Sequence, residues 1–125
     1  MRKSKVMVFL LLALTISNVT VSHTEQRQLG QVVYITMSKA CGCMLELCQA
    51  GEIIVGNVFN GERKSLLKRI DYSTEKEAAR AYLKQYGIVQ APAMLFLDKR
   101  GKLLWMAVGE LSENDIQEKL RVLDH

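Results

Sequence analysis

Lys39-Ala40-Cys41-Gly42-Cys43-Met44 sets two cysteines one residue apart between two unlike neighbours. Before it stands an apolar, β-branched run, Val32-Val33-Tyr34-Ile35. After it Met44, Leu47, Cys48, Ile54, Val55 and Val58 recur near helical spacing. The pattern predicts a strand, a short turn, and thiols at the start of a helix. Free N–H groups and aligned peptide dipoles at such a start favour negative charge, and the thiolate is the reactive form of cysteine. Lys39 adds a cation close by. Small apolar residues filling a strand–helix junction would give the same spacing, so on this segment alone both readings stand.

Around that segment, the chain has 125 residues, 49% hydrophobic and 24% charged, which suits one globular domain with its own core. Its N-terminus reads as a secretory signal. Arg2, Lys3 and Lys5 precede an apolar run from Val6 to Ile16 that only Thr15 interrupts, and small residues follow. Thr20 and Ser22 have −3/−1 spacing for cleavage before His23, with a cut after Ser17 as the alternative. The run is shorter than the roughly 20 residues a membrane span needs, so membrane attachment is expected only if the signal stays as an anchor. The expected organisation is a signal peptide over 1–22, a polar lead-in over 23–30 and one domain over 31–125, exported to a periplasm or the exterior. Three of the 17 cations lie in the signal, which leaves 14 against 13 acids in the mature part. With that balance, and no basic patch interleaved with aromatics, nucleic acid is not expected as a partner. Three cysteines in an oxidising compartment allow at most one internal pair and leave one thiol over.

The mature chain then reads in order. Gln31 to Met37 is a strand buried on both faces. A helix follows from Cys43 to about Phe59, with a break or bend expected near Gly51 because glycine weakens helices. Asn60-Gly61 turns the chain, and Lys64 to Asp71 is a second strand. The next helix runs from Glu75 to Tyr86, with Thr74 and Glu77 at capping-box spacing and Gly87 suited to its end. Ala93 to Leu97 and Lys102 to Val108 make a hairpin about Asp98-Lys99-Arg100-Gly101. Trp105 is expected in the core or on a sheet face. Ser112 caps a last helix over Glu113 to Leu123, with Leu111 and Ile116 as a staple and Ile116, Leu120 and Leu123 as its buried stripe. The order βαβαββα demands a parallel crossover first and an antiparallel hairpin later.

This order, with cysteines at the first helix start and Pro92 before the hairpin, resembles the thioredoxin fold. Tyr86-Gly87-Ile88, Pro92, Phe96, Gly101, Val108-Gly109, Leu111-Ser112 and Leu120 sit as they do in thioredoxins, and Asp71 ends a strand where that family commonly has an aspartate. The resemblance spans about residues 31–123. It implies an α/β domain with a central mixed four-stranded sheet flanked by helices, and a cis peptide at Pro92 beside the thiols, where that loop with Ala91 meets a bound partner. The departures are local. Met44 stands where the family has its second cysteine, Ala40 where it has a tryptophan, and Ile35 where thioredoxin has a buried acid.

The resemblance implies a thiol–disulfide oxidoreductase acting on protein thiols and disulfides. No organic cofactor is expected, since no glycine-containing stretch has phosphate-loop spacing, and a monomer is expected. Cys41 would be the nucleophile and Cys43 the resolving thiol, supported by Lys39, Gly42, Ala91 and Pro92. Gly42 tolerates the backbone angles a small Cys41–Cys43 ring needs, and strain in such a ring would make it easily reduced. Cys48 lies about 7.5 Å along a regular helix from Cys43, too far for an unstrained bridge, and pairing with Cys41 would need a bent or late-starting helix. It is either a buried small hydrophobe or a third thiol. With Cys48 as third ligand, Cys41 and Cys43 could instead hold a soft ion such as Cu(I) or Hg(II). A non-catalytic thioredoxin-like binding domain is the remaining alternative.

Overall fold

The computed structural model describes residues 28–124; the signal segment, its cleavage sites, most of the lead-in and His125 lie outside the described residues. The elements are β1 (Leu29–Thr36), α1 (Gly42–Val58), a 3-10 turn (Gly61–Leu66), β2 (Leu67–Asp71), α2 (Lys76–Tyr86), β3 (Ala93–Asp98), β4 (Leu103–Val108) and α3 (Glu113–Leu123). One sheet orders its strands β2-β1-β3-β4. β1 and β2 run parallel, with Val33 beside Lys68 and Thr36 beside Asp71. The β1–β3 and β3–β4 pairs are antiparallel. The expected mixed four-stranded sheet and its flanking helices are therefore present.

Alternation along the central strands divides the core in two. Val32, Tyr34, Met94 and Phe96 face Val55 and Val58 of α1 and Ile116 and Leu120 of α3. Their neighbours Val33, Ile35, Ala93, Leu95 and Leu97 face the other way, toward Ile70, Ala79 and Ile88 on the α2 side. A strand covered on both faces needs an unbroken apolar run, which β1 and β3 supply. Trp105 meets Phe96 edge to face at 5.1 Å between ring centres, as sheet-face packing requires.

Several elements differ from the sequence expectation. α1 runs through Gly51 without a break. The glycine serves space rather than flexibility: Tyr34 is fully buried beneath it, and its hydroxyl donates to the Cys48 carbonyl at 3.2 Å. A Cβ at Gly51 would lie 2.6 Å from that hydroxyl. The second strand is shorter than expected, because Gly61–Leu66 coils into a 3-10 turn in which the Ser65 hydroxyl donates to the Glu62 carbonyl at 2.9 Å. Polar side chains that bond nearby backbone compete with strand pairing in this way. The Thr74/Glu77 capping box does not form; α2 starts at Lys76, the Thr74 hydroxyl points at the Asp71 carbonyl, and Glu77 faces Arg80. The other end of α2 is as expected: Gly87 takes φ 65° and the Ile88 N–H reaches the Leu83 carbonyl at 2.9 Å. In α3 the Ser112 hydroxyl accepts from the Asp115 N–H at 3.3 Å, and Leu111 and Ile116 share one cluster as a staple would.

Candidate functional site

β1 ends at Thr36 in the middle of the sheet, and a short loop later Cys41 is the N-cap of α1. Its backbone is extended (φ −64°, ψ 157°), and its carbonyl accepts the first helical bond, from the Leu45 N–H at 2.9 Å. Its sulfur makes no capping bond. Cys41, Gly42 and Cys43 are all exposed, whereas Cys48 is buried with 1% exposure.

Helix geometry decides which thiols can meet. The Cα separation of residues two apart follows from the residue between them. Gly42 is helical, which sets Cys41 and Cys43 roughly 5.4 Å apart, inside the disulfide range of about 4.4–6.8 Å. Two helical residues at this spacing face away from each other, but Cys41 stands outside the helical conformation. Cys43 and Cys48 are both helical, so their Cα atoms are roughly 8.6 Å apart, beyond a bridge. α1 starts at Gly42 and runs unbroken past Cys48, which also leaves Cys41 without a path to Cys48. The three thiols are not gathered. Among the described residues no three His, Cys, Asp or Glu side chains cluster to hold a metal ion, and the soft-metal alternative loses its third ligand.

The Ala91–Pro92 peptide is cis, as the resemblance implied. Both residues are buried, and the Pro92 carbonyl accepts the Gly109 N–H at 2.8 Å, tying the loop to the end of β4. Upstream in the same loop, Val89 is 98% exposed. Between this loop and the α1 tip lies an open groove of about 270 Å³, lined by Ile35, Met37, Met44, Tyr72, Leu83, Ile88, Val89, Gln90 and Ala91. Helix tip and proline loop therefore share one surface. Met44 lines this groove and stands where a second cysteine would sit in a Cys-x-x-Cys frame, whereas Cys43, the remaining partner thiol, is exposed and does not line it. In the sequence Met44 reads as an apolar helix position and as a departure from the Cys-x-x-Cys pattern. Met37, Tyr72 and Val89 carried no sequence signal, since only the fold brings them to this surface.

The loop from Met37 to Ala40 is held from the β2 side. The Ser38 N–H donates to the Asp71 carboxylate at 3.1 Å and the Ser73 N–H to the same oxygen at 2.9 Å. The Lys39 N–H donates to the Ser73 hydroxyl at 3.0 Å, which donates back to the Lys39 carbonyl at 3.2 Å. Lys39 is exposed, and its backbone makes these bonds. Burial works to raise the Asp71 carboxyl pKa, but the bonds from Ser38 and Ser73 outweigh it and hold the group below its usual value of 3.8. The sequence marked Asp71 only by its place at a strand end.

No family model matches the sequence, and no curated protein matches it significantly. Solved structures do share its shape. A thioredoxin from Aeropyrum pernix superposes with a TM-score of 0.56 at 16% identity, covering 78% of this chain and 77% of its own. The C-terminal domain of DsbD from Neisseria meningitidis, in its reduced form, gives a TM-score of 0.54 at 14% identity over 79% and 84%. A mutant thioredoxin from Halobacterium salinarum gives 0.56 at 15% over 81% and 80%. The chain has a thioredoxin-like fold.

Proposed function

We propose that this chain is an exported thiol–disulfide exchange protein that acts on protein thiols and disulfides through Cys41 and Cys43. The observation that carries the reading is the exposed Cys41 at the N-cap of α1, with a second exposed thiol two residues on and a groove joining that tip to the cis-Pro92 loop. Thioredoxins and a DsbD domain in its reduced form share the fold. The Cys41 thiolate attacks one sulfur of a partner disulfide. A mixed disulfide forms at Cys41, and the partner's other sulfur leaves as thiolate. The Cys43 thiolate then attacks the Cys41 sulfur, which closes the Cys41–Cys43 bridge and releases the partner's second thiolate. The partner gains two electrons and this chain loses two; the reverse sequence oxidises a partner dithiol. Both sulfurs face solvent, so either direction is sterically open. The setting would be a periplasm or the exterior, with the chain a monomer after removal of residues 1–22.

The test uses residues 23–125, oxidised and mixed with a reduced dithiol peptide whose bridge formation is followed by fluorescence. The wild type should accelerate peptide oxidation and Cys41→Ser should abolish it; in the reverse direction, reduced Cys43→Ser mixed with the disulfide form of the peptide should accumulate a mixed disulfide at Cys41, because no second thiol is left to resolve it. Equal rates for the wild type and Cys41→Ser would leave a binding domain with idle thiols.

A further inference from the structure

Five residues, Met37 to Cys41, carry the chain from the sheet into α1. Backbone polar groups in such a loop need partners, and α1 itself supplies one only to the Cys41 carbonyl. The loop's other anchors come from a turn more than thirty residues away in sequence. Ser38 is held by the Asp71 carboxylate, and Lys39 is held at both its N–H and its carbonyl by Ser73. That turn is itself closed. The Asp71 carbonyl accepts from the Thr74 and Glu75 N–H groups at 3.1 and 2.7 Å, and the Asp71 N–H donates to the Glu75 carboxylate at 3.0 Å. One residue on, the Tyr72 N–H continues the parallel ladder to the Thr36 carbonyl at 2.8 Å. The carboxylate of Asp71, a residue only 7% exposed, thus collects two backbone N–H groups, one from each side of the β1–β2 edge. Hydrogen bonds to an ionised acceptor are stronger than neutral ones.

Building on the exchange reading above, we propose that Asp71 is a positioning residue for Cys41: its carboxylate, with the Ser73 hydroxyl, braces the β1–α1 loop and so fixes where the thiol stands relative to Cys43 and the groove. The brace acts two residues before Ala40, on the side of the thiol opposite the helix. It needs an oxygen acceptor at the Asp71 Oδ1 position, which asparagine also supplies.

The experiment compares wild type, Asp71→Ala, Asp71→Asn and Ser73→Ala in residues 23–125. Amide hydrogen exchange at Ser38 and Lys39 is read beside the equilibrium constant of the Cys41–Cys43 bridge against glutathione. Asp71→Ala should speed exchange at Ser38 and lower the bridge constant by roughly tenfold, about the scale of one charged hydrogen bond, while amides of Ala93–Leu97 stay protected. Asp71→Asn should restore most of both. Ser73→Ala should speed Lys39, and it carries the test if Asp71→Ala does not fold. Unchanged protection at Ser38 and Lys39 in both alanine variants would overturn the brace, as would an asparagine variant that behaves like alanine. A wild type that forms no bridge at any glutathione ratio removes the exchange reading and the thiol-positioning role with it, while the amide data still judge the brace itself.

Discussion

Two glycines of α1 make a paired prediction with opposite signs. Gly51 and Gly56 both lie inside the helix that carries Cys41 at its tip. On propensity alone, alanine at either would add about 0.8–1.0 kcal/mol of stability. At Gly56 nothing lies within 4 Å of the new methyl, so Gly56→Ala should realise that gain. At Gly51 the methyl would stand 2.6 Å from the Tyr34 hydroxyl and 3.4 Å from Leu111. Tyr34 has no exposed surface and sits in a central strand, so it cannot swing aside. Overpacking costs about 1–3 kcal/mol, and losing the bond from Tyr34 to the Cys48 carbonyl leaves a buried polar group at about 1–3 kcal/mol more. Partial relaxation offsets some of this, and the propensity gain a little more. A net loss of about 1–3 kcal/mol is expected, or about 4–8 °C in midpoint for each kcal/mol in a domain of this size. Urea unfolding with a constant slope is the assay. Tyr34→Phe in the Gly51→Ala background should recover part of the loss, because the clashing oxygen is gone. A Gly51→Ala protein as stable as Gly56→Ala would refute the seating of α1 on Tyr34.

Other outcomes follow from the same geometry. Cys48→Ala should cost about 1 kcal/mol as a core truncation and leave the rate of peptide oxidation within twofold of the wild type; loss of exchange would give Cys48 a chemical part. Val89→Asp removes a side chain that is 98% exposed, so stability should change by less than about 0.5 kcal/mol. Exchange with an apolar peptide should slow while exchange with glutathione does not, and parallel slowing of both would argue against docking at the groove. Stability against pH should fall at both ends. Burial is the leading cause that pushes the Tyr34 phenol up to about 12 from 10.0. The fold therefore favours the protonated phenol, and this contribution is whole below pH 10 and is lost as pH rises toward 12. Asp71 is held below 3.8 by its bonds, so its contribution is whole above that pH and is lost as pH falls through the lower folded value. In Asp71→Asn the acid decline should be shallower; an unchanged acid limb in urea midpoints would contradict the carboxylate's part.

The fold was legible wherever one local rule decided the outcome. The two-faced apolar strands, the Gly87 end of α2 and the Ser112 start of α3 all follow from nearby sequence. The errors fell where a tertiary contact, or a competing local hydrogen bond, overrode the rule applied. Gly51 reads as a helix weakener, yet its missing side chain is what admits Tyr34 from the strand before it. Thr74 and Glu77 have capping-box spacing, yet Asp71 and Glu75 organise that turn instead. The site divides in the same way. Cys41, Cys43 and Pro92 stand out by chemistry and order, and the resemblance supplied their roles. Met37, Val89 and the Asp71–Ser38–Ser73 brace are joined only by the β1–β2 register and the path of the loop before β3. No spacing in the sequence announces them.

The claim most exposed to a single measurement is that two solvent-facing thiols at the tip of α1 form one reversible couple. Residues 23–125 can be equilibrated across a series of glutathione ratios, quenched with acid, alkylated, and mapped by peptide mass. A reversible couple requires a Cys41–Cys43 bridge that appears and vanishes across the series, with Cys48 reduced throughout. A bridge that includes Cys48, or no bridge at any ratio, would contradict it.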